Sequence, residues 1–138
     1  MQVVRLIGLK HHDWDKIRET IGVGNLVTLS HDSQWDKPEG KAYKAEYGGF
    51  QIGYIPLVPT LREYYKAAQC DAERDRLAQW GQAASKVREW LDSRVKYNHE
   101  ESWMVPVHTI LFRDQNGVYN SADIGEPTQI SIAFEEVD

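Results

Sequence analysis

The side chains best suited to chemistry in this sequence are aromatic and basic residues within its first 60 positions. Aromatic rings can stack on nucleic-acid bases, at on the order of 1 to 3 kcal/mol per base, and lysines beside them can neutralise phosphates. Together they would form a platform for a single strand. The residues of this candidate platform are Lys10, His12, Trp14, Trp35, Lys37, Lys41, Lys44 and Tyr54.

The distribution of charge restricts where such a platform could lie. The 138-residue chain has 16 basic and 21 acidic residues, and its formal charge is −5. Residues 1–60 contain seven of each kind, so the whole negative excess falls in residues 61–138. We therefore expect any anion-binding face in the first half, and weak, salt-sensitive binding rather than a tight complex.

A metal-dependent hydrolase is an alternative function suggested by the segment KHHDWD at 10–15 and the pair His31-Asp32. These residues include ligand types that a divalent metal ion prefers, and a metal-bound water could hydrolyse a phosphodiester or a nucleotide. Adjacent histidines on an extended chain point to opposite faces, however, and no His-x-His, His-x-x-x-His or Glu-x-x-His spacing occurs. The sequence therefore predicts no metal site, no cofactor and no catalytic residue.

Strand and turn patterns predict the organisation of the first half. Strands are predicted over 3–9, 26–29, 41–47 and 50–55, with a short helix at 13–21. Gly48-Gly49 predicts a tight turn with positive φ, which joins the last two strands as a hairpin. Alternation along the fourth strand predicts that Ile52 and Tyr54 point to one face and Gly53 to the other.

The period of the apolar residues becomes helical in the second half. Thr60 and Glu63 suggest a capping box, and the helical pattern continues to about Tyr97. Strands follow over 103–112, interrupted by Pro106, and over 129–137, with an Asn-Gly turn in DQNG at 114–117 leading into Val118 and Tyr119. The prediction is a single α+β domain over 1–138, a small antiparallel β-barrel of the SH3/OB-like kind with a helical insertion at about 60–98.

Large apolar residues on the predicted helices suggest a function of a different class. Trp80, Val87, Trp90 and Leu91 exceed what a small barrel is expected to cover. Such residues are frequent anchors of protein interfaces, so the helical face could bind a protein partner or a second copy of the chain. The chain would then be an inhibitor or an accessory subunit rather than a nucleic-acid-binding module.

Cysteine usage and hydropathy bear on the compartment. Cys70 is the single cysteine, which excludes an intramolecular disulfide and fits a reducing setting. No apolar run is long enough to cross a bilayer, and the amino-terminal residues do not have the pattern of a signal peptide. The expectation is a soluble, cytoplasmic protein.

Three segments stand out as motifs: LIGLKHH at 6–12, LVTLSHDSQWDKPEGKAYKAEYGG at 26–49 and FQIGYIP at 50–56. They resemble, in turn, the first-strand motif, the second strand with the specificity loop and third strand, and the Ile-Gly-Tyr-Ile-Pro signature of the HIRAN domain family. Members are small β-barrel modules of DNA-remodelling helicases and stand-alone microbial or phage proteins. The resemblance extends over about the first 60 residues and the last strand, and Leu57 stands where a basic residue often follows the signature.

This resemblance implies a divergent stand-alone HIRAN-like module that binds DNA. In the best understood members, a single-stranded 3′ end is held in a pocket with stacked bases. By resemblance, the basic-aromatic-aromatic positions fall on Lys10, His11 and His12. Trp35 takes the place of a stacking tyrosine, and Asp36 takes that of an acidic residue that contacts the terminal hydroxyl.

Overall fold

The computed structural model describes residues 1–8, 17, 19–98, 102–112 and 128–138. Its elements in chain order are β1 (Gln2–Arg5), β2 (Leu26–His31), β3 (Tyr43–Tyr47), β4 (Phe50–Tyr54), α1 (Val58–Ala67), α2 (Asp71–Asn98), β5 (Ser102–Phe112) and β6 (Thr128–Phe134). The chain is α+β, and both helices lie between β4 and β5, where the sequence predicts helical structure.

The six strands form one antiparallel sheet in the order β1-β6-β5-β2-β3-β4. β5 pairs with β2 up to Pro106 and with β6 from Val107 onward, so the sheet curls into a half-barrel around this long strand. The prediction that Pro106 interrupts the strand is wrong. Pro106 lies opposite Leu26, and the hydrogen bonds on this side of β5 continue beyond it, since the Val107 N–H donates to the Asn25 carbonyl at 2.8 Å. Successive N–H groups of a strand point to opposite sides, so the Pro106 nitrogen faces away from β2, toward β6, whose pairing begins only at Val107.

The two edges of the sheet meet at one point. Just after β1, Ile7 forms an isolated antiparallel bridge with Tyr54, the last residue of β4. Each residue donates its N–H to the carbonyl of the other at 2.9 Å. This bridge fixes the end of β4 beside the start of the chain and so positions Tyr54.

The hairpin of β3 and β4 has the turn that the glycine pair predicts. Gly48 and Gly49 have φ values of 58° and 85°, which confirms the expected positive φ. The predicted alternation along β4 is wrong, because a register shift inserts Ile52 between the pairs Ala45–Gly53 and Glu46–Gln51. Ile52 and Gly53 are therefore both buried, and Tyr54 is the residue that points outward.

Two glycine-to-alanine substitutions should change stability in opposite directions. At Gly49 an added Cβ has open space around it, so Gly49→Ala should lower the free energy of unfolding by about 1 kcal/mol through backbone strain alone. Gly81, inside α2, also has open space, and Gly81→Ala should raise the free energy of unfolding by up to about 1 kcal/mol. Urea denaturation of both variants tests this, and a loss of stability in Gly81→Ala would contradict it.

Helix α1 starts earlier than the sequence predicts. Leu57 is its N-cap residue, and Pro59 lies in its first turn. Thr60 is therefore inside the helix, and the predicted capping box with Glu63 is wrong. Proline competes successfully for the first turn because its fixed φ is helical and its missing N–H would have no intrahelical partner there.

The predicted partner surface on the helices lies largely in the core. Val87 and Leu91 have no exposed surface, Trp80 is buried with its indole N–H donating to the carbonyl of Arg5 at 2.8 Å, and Trp90 packs against the core. These four residues belong to the hydrophobic core or pack against it, so the apolar stripe of α2 lies inside the fold. The interpretation of this set as an exposed interface is corrected accordingly.

Two sequence predictions lie outside the described residues: most of the short helix at 13–21, and the Asn-Gly turn at 114–117 with Val118 and Tyr119. The last predicted strand is confirmed as β6, whose Ile130, Ile132 and Phe134 are buried. Neither helix of the described part of the chain combines the length and apolar character that a membrane crossing requires.

Candidate functional site

A cavity of about 570 Å³ opens where the loop after β2, the end of β4 and the start of α1 come together. We call it the Trp35 cavity. It is lined by Ile7, Trp35, Lys37, Ala42, Tyr54, Ile55, Leu57, Thr60 and Arg88. Its volume is that of a typical small-molecule pocket, large enough for a single nucleotide unit.

The loop after β2 holds Trp35 at the mouth of this cavity. Residues Ser33–Trp35 form one turn of 3-10 helix, which the Trp35 N–H closes by donating to the Asp32 carbonyl at 3.0 Å. Further along, Lys37 and Gly40 each donate an N–H to the other's carbonyl at 3.0 Å. The Trp35 ring contributes little to the stability of the core, since 59% of its surface is exposed. A tryptophan held so open is available to a ligand.

Asp36 anchors the loop instead of facing the cavity. Its carboxylate accepts the Ala42 N–H at 2.8 Å and lies 2.9 Å from the His31 Nε2. Burial on its own would raise the pKa of Asp36, but the bonds to Ala42 and His31 and the nearby charges outweigh it, and the pKa lies below its ordinary value. Asp36 does not line the Trp35 cavity and its carboxylate stabilises the loop, while its expected contact with a terminal hydroxyl stays a prediction.

Tyr54 forms the opposite wall. The bulge at Ile52 turns Tyr54 outward, and the bridge to Ile7 fixes its backbone. Next to that bridge, Gly8 has a φ of 83°, and a Cβ there would lie 3.6 Å from the Tyr54 ring. That distance is an ordinary contact, so it is the positive φ that favours glycine at this position.

Arg88 of α2 lies at the inner end of the cavity and is only 8% exposed. Its Nε donates to the Pro56 carbonyl at 2.7 Å, its Nη1 to Lys41 at 2.7 Å and its Nη2 to Ile55 at 2.9 Å. These bonds tie α2 to both chain segments that form the cavity wall. Gly40 packs closely beside them, because a Cβ there would lie 3.0 Å from the Leu57 Cδ2 and 3.2 Å from the Arg88 Nη1, so a larger residue would require these side chains to shift.

Tyr43 and Asp92 pack beside Arg88. The Tyr43 hydroxyl donates a short hydrogen bond to Asp92 Oδ1, and the Arg88 guanidinium lies 5.8 Å from the centre of the Tyr43 ring. Burial lowers the pKa of Arg88, and the Asp92 charge opposes that shift. Arginine still remains protonated, because its ordinary pKa is above 12.

Stability should fall above about pH 10 through Tyr43. Burial raises the pKa of Tyr43, and the bond to Asp92 raises it further. An unfolded phenol ionises near pH 10, so above that pH the folded chain retains a proton that the unfolded chain loses, and the free energy of unfolding decreases by up to about 1.4 kcal/mol per pH unit. Below pH 10 this contribution is fully present. Urea denaturation at pH 9, 10 and 11 should show a shallower decrease for Tyr43→Phe, and equal decreases would contradict the assignment.

The structure brings together three of the predicted platform residues: Trp35, Lys37 and Tyr54 all line the Trp35 cavity. Lys41 contributes its backbone carbonyl, which binds Arg88. Lys44 pairs with Glu46 at 3.3 Å and does not line the cavity.

Four other predicted residues, Lys10, His11, His12 and Trp14, lie outside the described residues. Sequence reasoning missed Arg88 and Thr60. Arg88 could have been found from the apolar stripe of α2, because it follows Ala84 by four residues and precedes Leu91 by three. A charged residue on a buried stripe calls for buried partners.

The described residues do not support the alternative of a metal site. Among them, no group of three or more His, Cys, Asp or Glu side chains is arranged to hold a metal ion. His31 is bound to Asp36, Asp32 is the only other candidate ligand among the described residues, and the candidates at 11–15 lie outside them.

The geometry offers two aromatic rings and two cations around one cavity, a set that suits a flat, negatively charged ligand. No protein-family model, curated protein or solved structure matches this chain. The resemblance to HIRAN domains therefore remains a prediction from its three sequence segments.

Proposed function

We propose that this chain is a nucleic-acid-binding module that holds single-stranded or terminal DNA in the Trp35 cavity and has no catalysis of its own. The single observation that supports this most is the meeting of Trp35, Lys37 and Tyr54 around one cavity. Trp35 and Tyr54 are 19 positions apart in sequence, and the aromatic and basic pattern of the first half selects all three residues independently of the fold.

The chemistry of the cavity wall supports a nucleotide ligand. An exposed indole and a phenol provide faces for stacking, which is worth on the order of 1 to 3 kcal/mol per base and tolerates any base. Lys37 and Arg88 provide positive charge for the sugar-phosphate backbone. The HIRAN resemblance, and with it an SH3/OB-like identity of the half-barrel, is part of this proposal.

Single strands are favoured over duplexes by the same geometry. Bases inside a duplex are stacked on each other, so their faces are not available to Trp35 and Tyr54. With two cations at the site, the salt dependence should be shallow, with a decrease in affinity of less than about tenfold between 50 and 200 mM salt. The net charge of −5 also disfavours unspecific adhesion of DNA to the rest of the surface.

Fluorescence anisotropy tests the proposal. An internally labelled oligothymidylate should bind with a dissociation constant that weakens with salt as stated, and a blunt duplex of the same length should bind several-fold more weakly. Lys37→Ala should weaken binding, whereas the matched control Lys86→Ala, an exposed lysine of α2 outside the Trp35 cavity, should not. No binding at low salt, or equal losses in both variants, would contradict the proposal.

A further inference from the structure

The polar groups that line the Trp35 cavity can all donate hydrogen bonds. They are the Lys37 ammonium, the Thr60 hydroxyl, the Tyr54 hydroxyl and the Arg88 guanidinium, and no carboxylate is among the lining residues. Two of the four carry a positive charge. Glu39 and Glu63 line a neighbouring cavity, which shares Lys37, Leu57 and Thr60 with the Trp35 cavity. The Trp35 cavity is thus built to receive an anion rather than a neutral hydroxyl group.

Arg88 has N–H groups that are not used in its hydrogen bonds to the protein. A guanidinium has five N–H groups, and the three bonds to the carbonyls of Lys41, Ile55 and Pro56 use three of them. One N–H therefore remains on each terminal nitrogen. Within the described residues no carboxylate lies within ion-pair distance of Arg88, whose three hydrogen bonds all go to carbonyl oxygens. The nearest opposing charge is that of Asp92, which acts on Arg88 without a direct ion pair. An anion that enters the cavity could therefore form the first direct ion pair of this buried guanidinium.

The three carbonyl bonds also fix the guanidinium in advance. A ligand that reaches Arg88 does not need to order its side chain, so little conformational entropy is lost on binding. Lys37 is exposed at the mouth of the cavity and Arg88 is buried at its inner end, with Thr60 on the same wall. An entering anion would therefore meet a cation at each end of the cavity.

We propose that the Trp35 cavity selects a terminal phosphate monoester, the phosphorylated 5′ or 3′ end of a single strand, and that Arg88, Lys37 and Thr60 bind that phosphate. The inference rests on the proposed function, whose ligand it narrows to a phosphorylated end. A monoester carries more negative charge than an internal diester and has three free oxygens, which suits several donors. Asp36 binds His31 and Ala42 and does not line the cavity. No lining carboxylate is therefore present to accept a hydrogen bond from an unphosphorylated, hydroxyl end, which agrees with a phosphate ligand.

The test compares one internally labelled oligothymidylate in three forms: with both ends unphosphorylated, with a 5′-phosphate and with a 3′-phosphate. Charge-assisted hydrogen bonds predict that one phosphorylated form binds about tenfold more tightly than the unphosphorylated form. The form that gains identifies the end that enters the cavity.

Variants show which residues cause the increase in affinity on phosphorylation. Thr60→Val, which keeps the shape of the side chain, and Lys37→Ala should each reduce the gain from phosphorylation by several-fold, and Arg88→Lys should reduce it most. Circular dichroism checks that each variant is folded, and if Arg88→Lys is not, Lys37→Ala and Thr60→Val decide the test. Lys86→Ala should keep the full gain, because Lys86 does not line the cavity.

The outcomes separate this inference from the proposed function. If all three forms bind with dissociation constants within about twofold of each other, the phosphate site is overturned and the proposed function stands. A gain that survives in Lys37→Ala, Thr60→Val and folded Arg88→Lys also overturns it, because the phosphate then binds elsewhere. If no form binds, the proposed function fails and this inference fails with it.

Discussion

Arg88→Met should lower the free energy of unfolding by about 3 to 5 kcal/mol, the largest effect of any single substitution that we expect in this chain. Methionine fills a similar volume but donates no hydrogen bond. The carbonyls of Lys41, Ile55 and Pro56 would then lose their Arg88 donors beside the Trp35 cavity. The segments before β3 and after β4 would also lose their shared attachment to α2.

Arg76→Met is the matched control, the same substitution in the same helix at an exposed position. It should change the free energy of unfolding by less than about 0.5 kcal/mol. Urea denaturation of the two variants beside the parent chain provides the comparison. Similar small losses in both would mean that the three carbonyls find other donors, and that Arg88 does not hold the cavity wall together.

Trp35→Ala should weaken binding of a single-stranded oligonucleotide by about tenfold or more, which corresponds to the loss of one stacking partner. Because 59% of the Trp35 surface is exposed, the same substitution should leave the free energy of unfolding within about 0.5 kcal/mol of the parent value. Loss of binding without loss of stability is the signature of a ligand-contacting ring.

Two further variants sharpen this result. Trp35→Phe retains an aromatic face and should recover most of the affinity. Tyr65→Ala removes another exposed aromatic ring, 44% exposed on α1, that does not line the Trp35 cavity, and it should leave affinity unchanged. If Trp35→Ala binds as tightly as the parent chain, Trp35 only covers the loop and the stacking role is wrong.

The strands and the hairpin could be predicted because their signals are local. A glycine pair between two β-rich runs has few conformational options, and the structure shows the expected positive φ at Gly48 and Gly49. The last strand could also be predicted from the sequence, since the alternating residues Ile130, Ile132 and Phe134 are the ones that are buried. Such features depend on neighbours within a few residues.

The errors occurred where tertiary pairing overrides local pattern. The sequence of β4 alone does not predict the bulge at Ile52, because the bulge depends on how β4 pairs with β3. Pro106 is compatible with a long strand only because the partner of β5 changes at that point, from β2 to β6. The start of α1 at Val58 reflects the preference of Pro59 for a first turn, which competed with the cap signal of Thr60.

The site was predicted only in part, for the same reason. Trp35, Lys37 and Tyr54 could be selected by residue type, and the fold brings them to one cavity. Arg88 could not be assigned there, because it lies 34 positions after Tyr54, with the whole of α1 between them. The expectation that anion-binding groups lie in the first half missed it as well, since overall charge balance carries no information about one buried cation.

The most direct test of the central claim, that the Trp35 cavity binds single-stranded DNA, is a titration followed by the indole N–H signals in two-dimensional NMR. The chain has five tryptophans, and Trp35→Phe assigns the signal of Trp35 by its disappearance. We predict that oligothymidylate shifts the Trp35 signal strongly and saturably, while the signal of Trp80, whose indole N–H is bonded to the Arg5 carbonyl, remains in place. A Trp35 signal that does not move at an oligonucleotide concentration where other signals do would contradict the account.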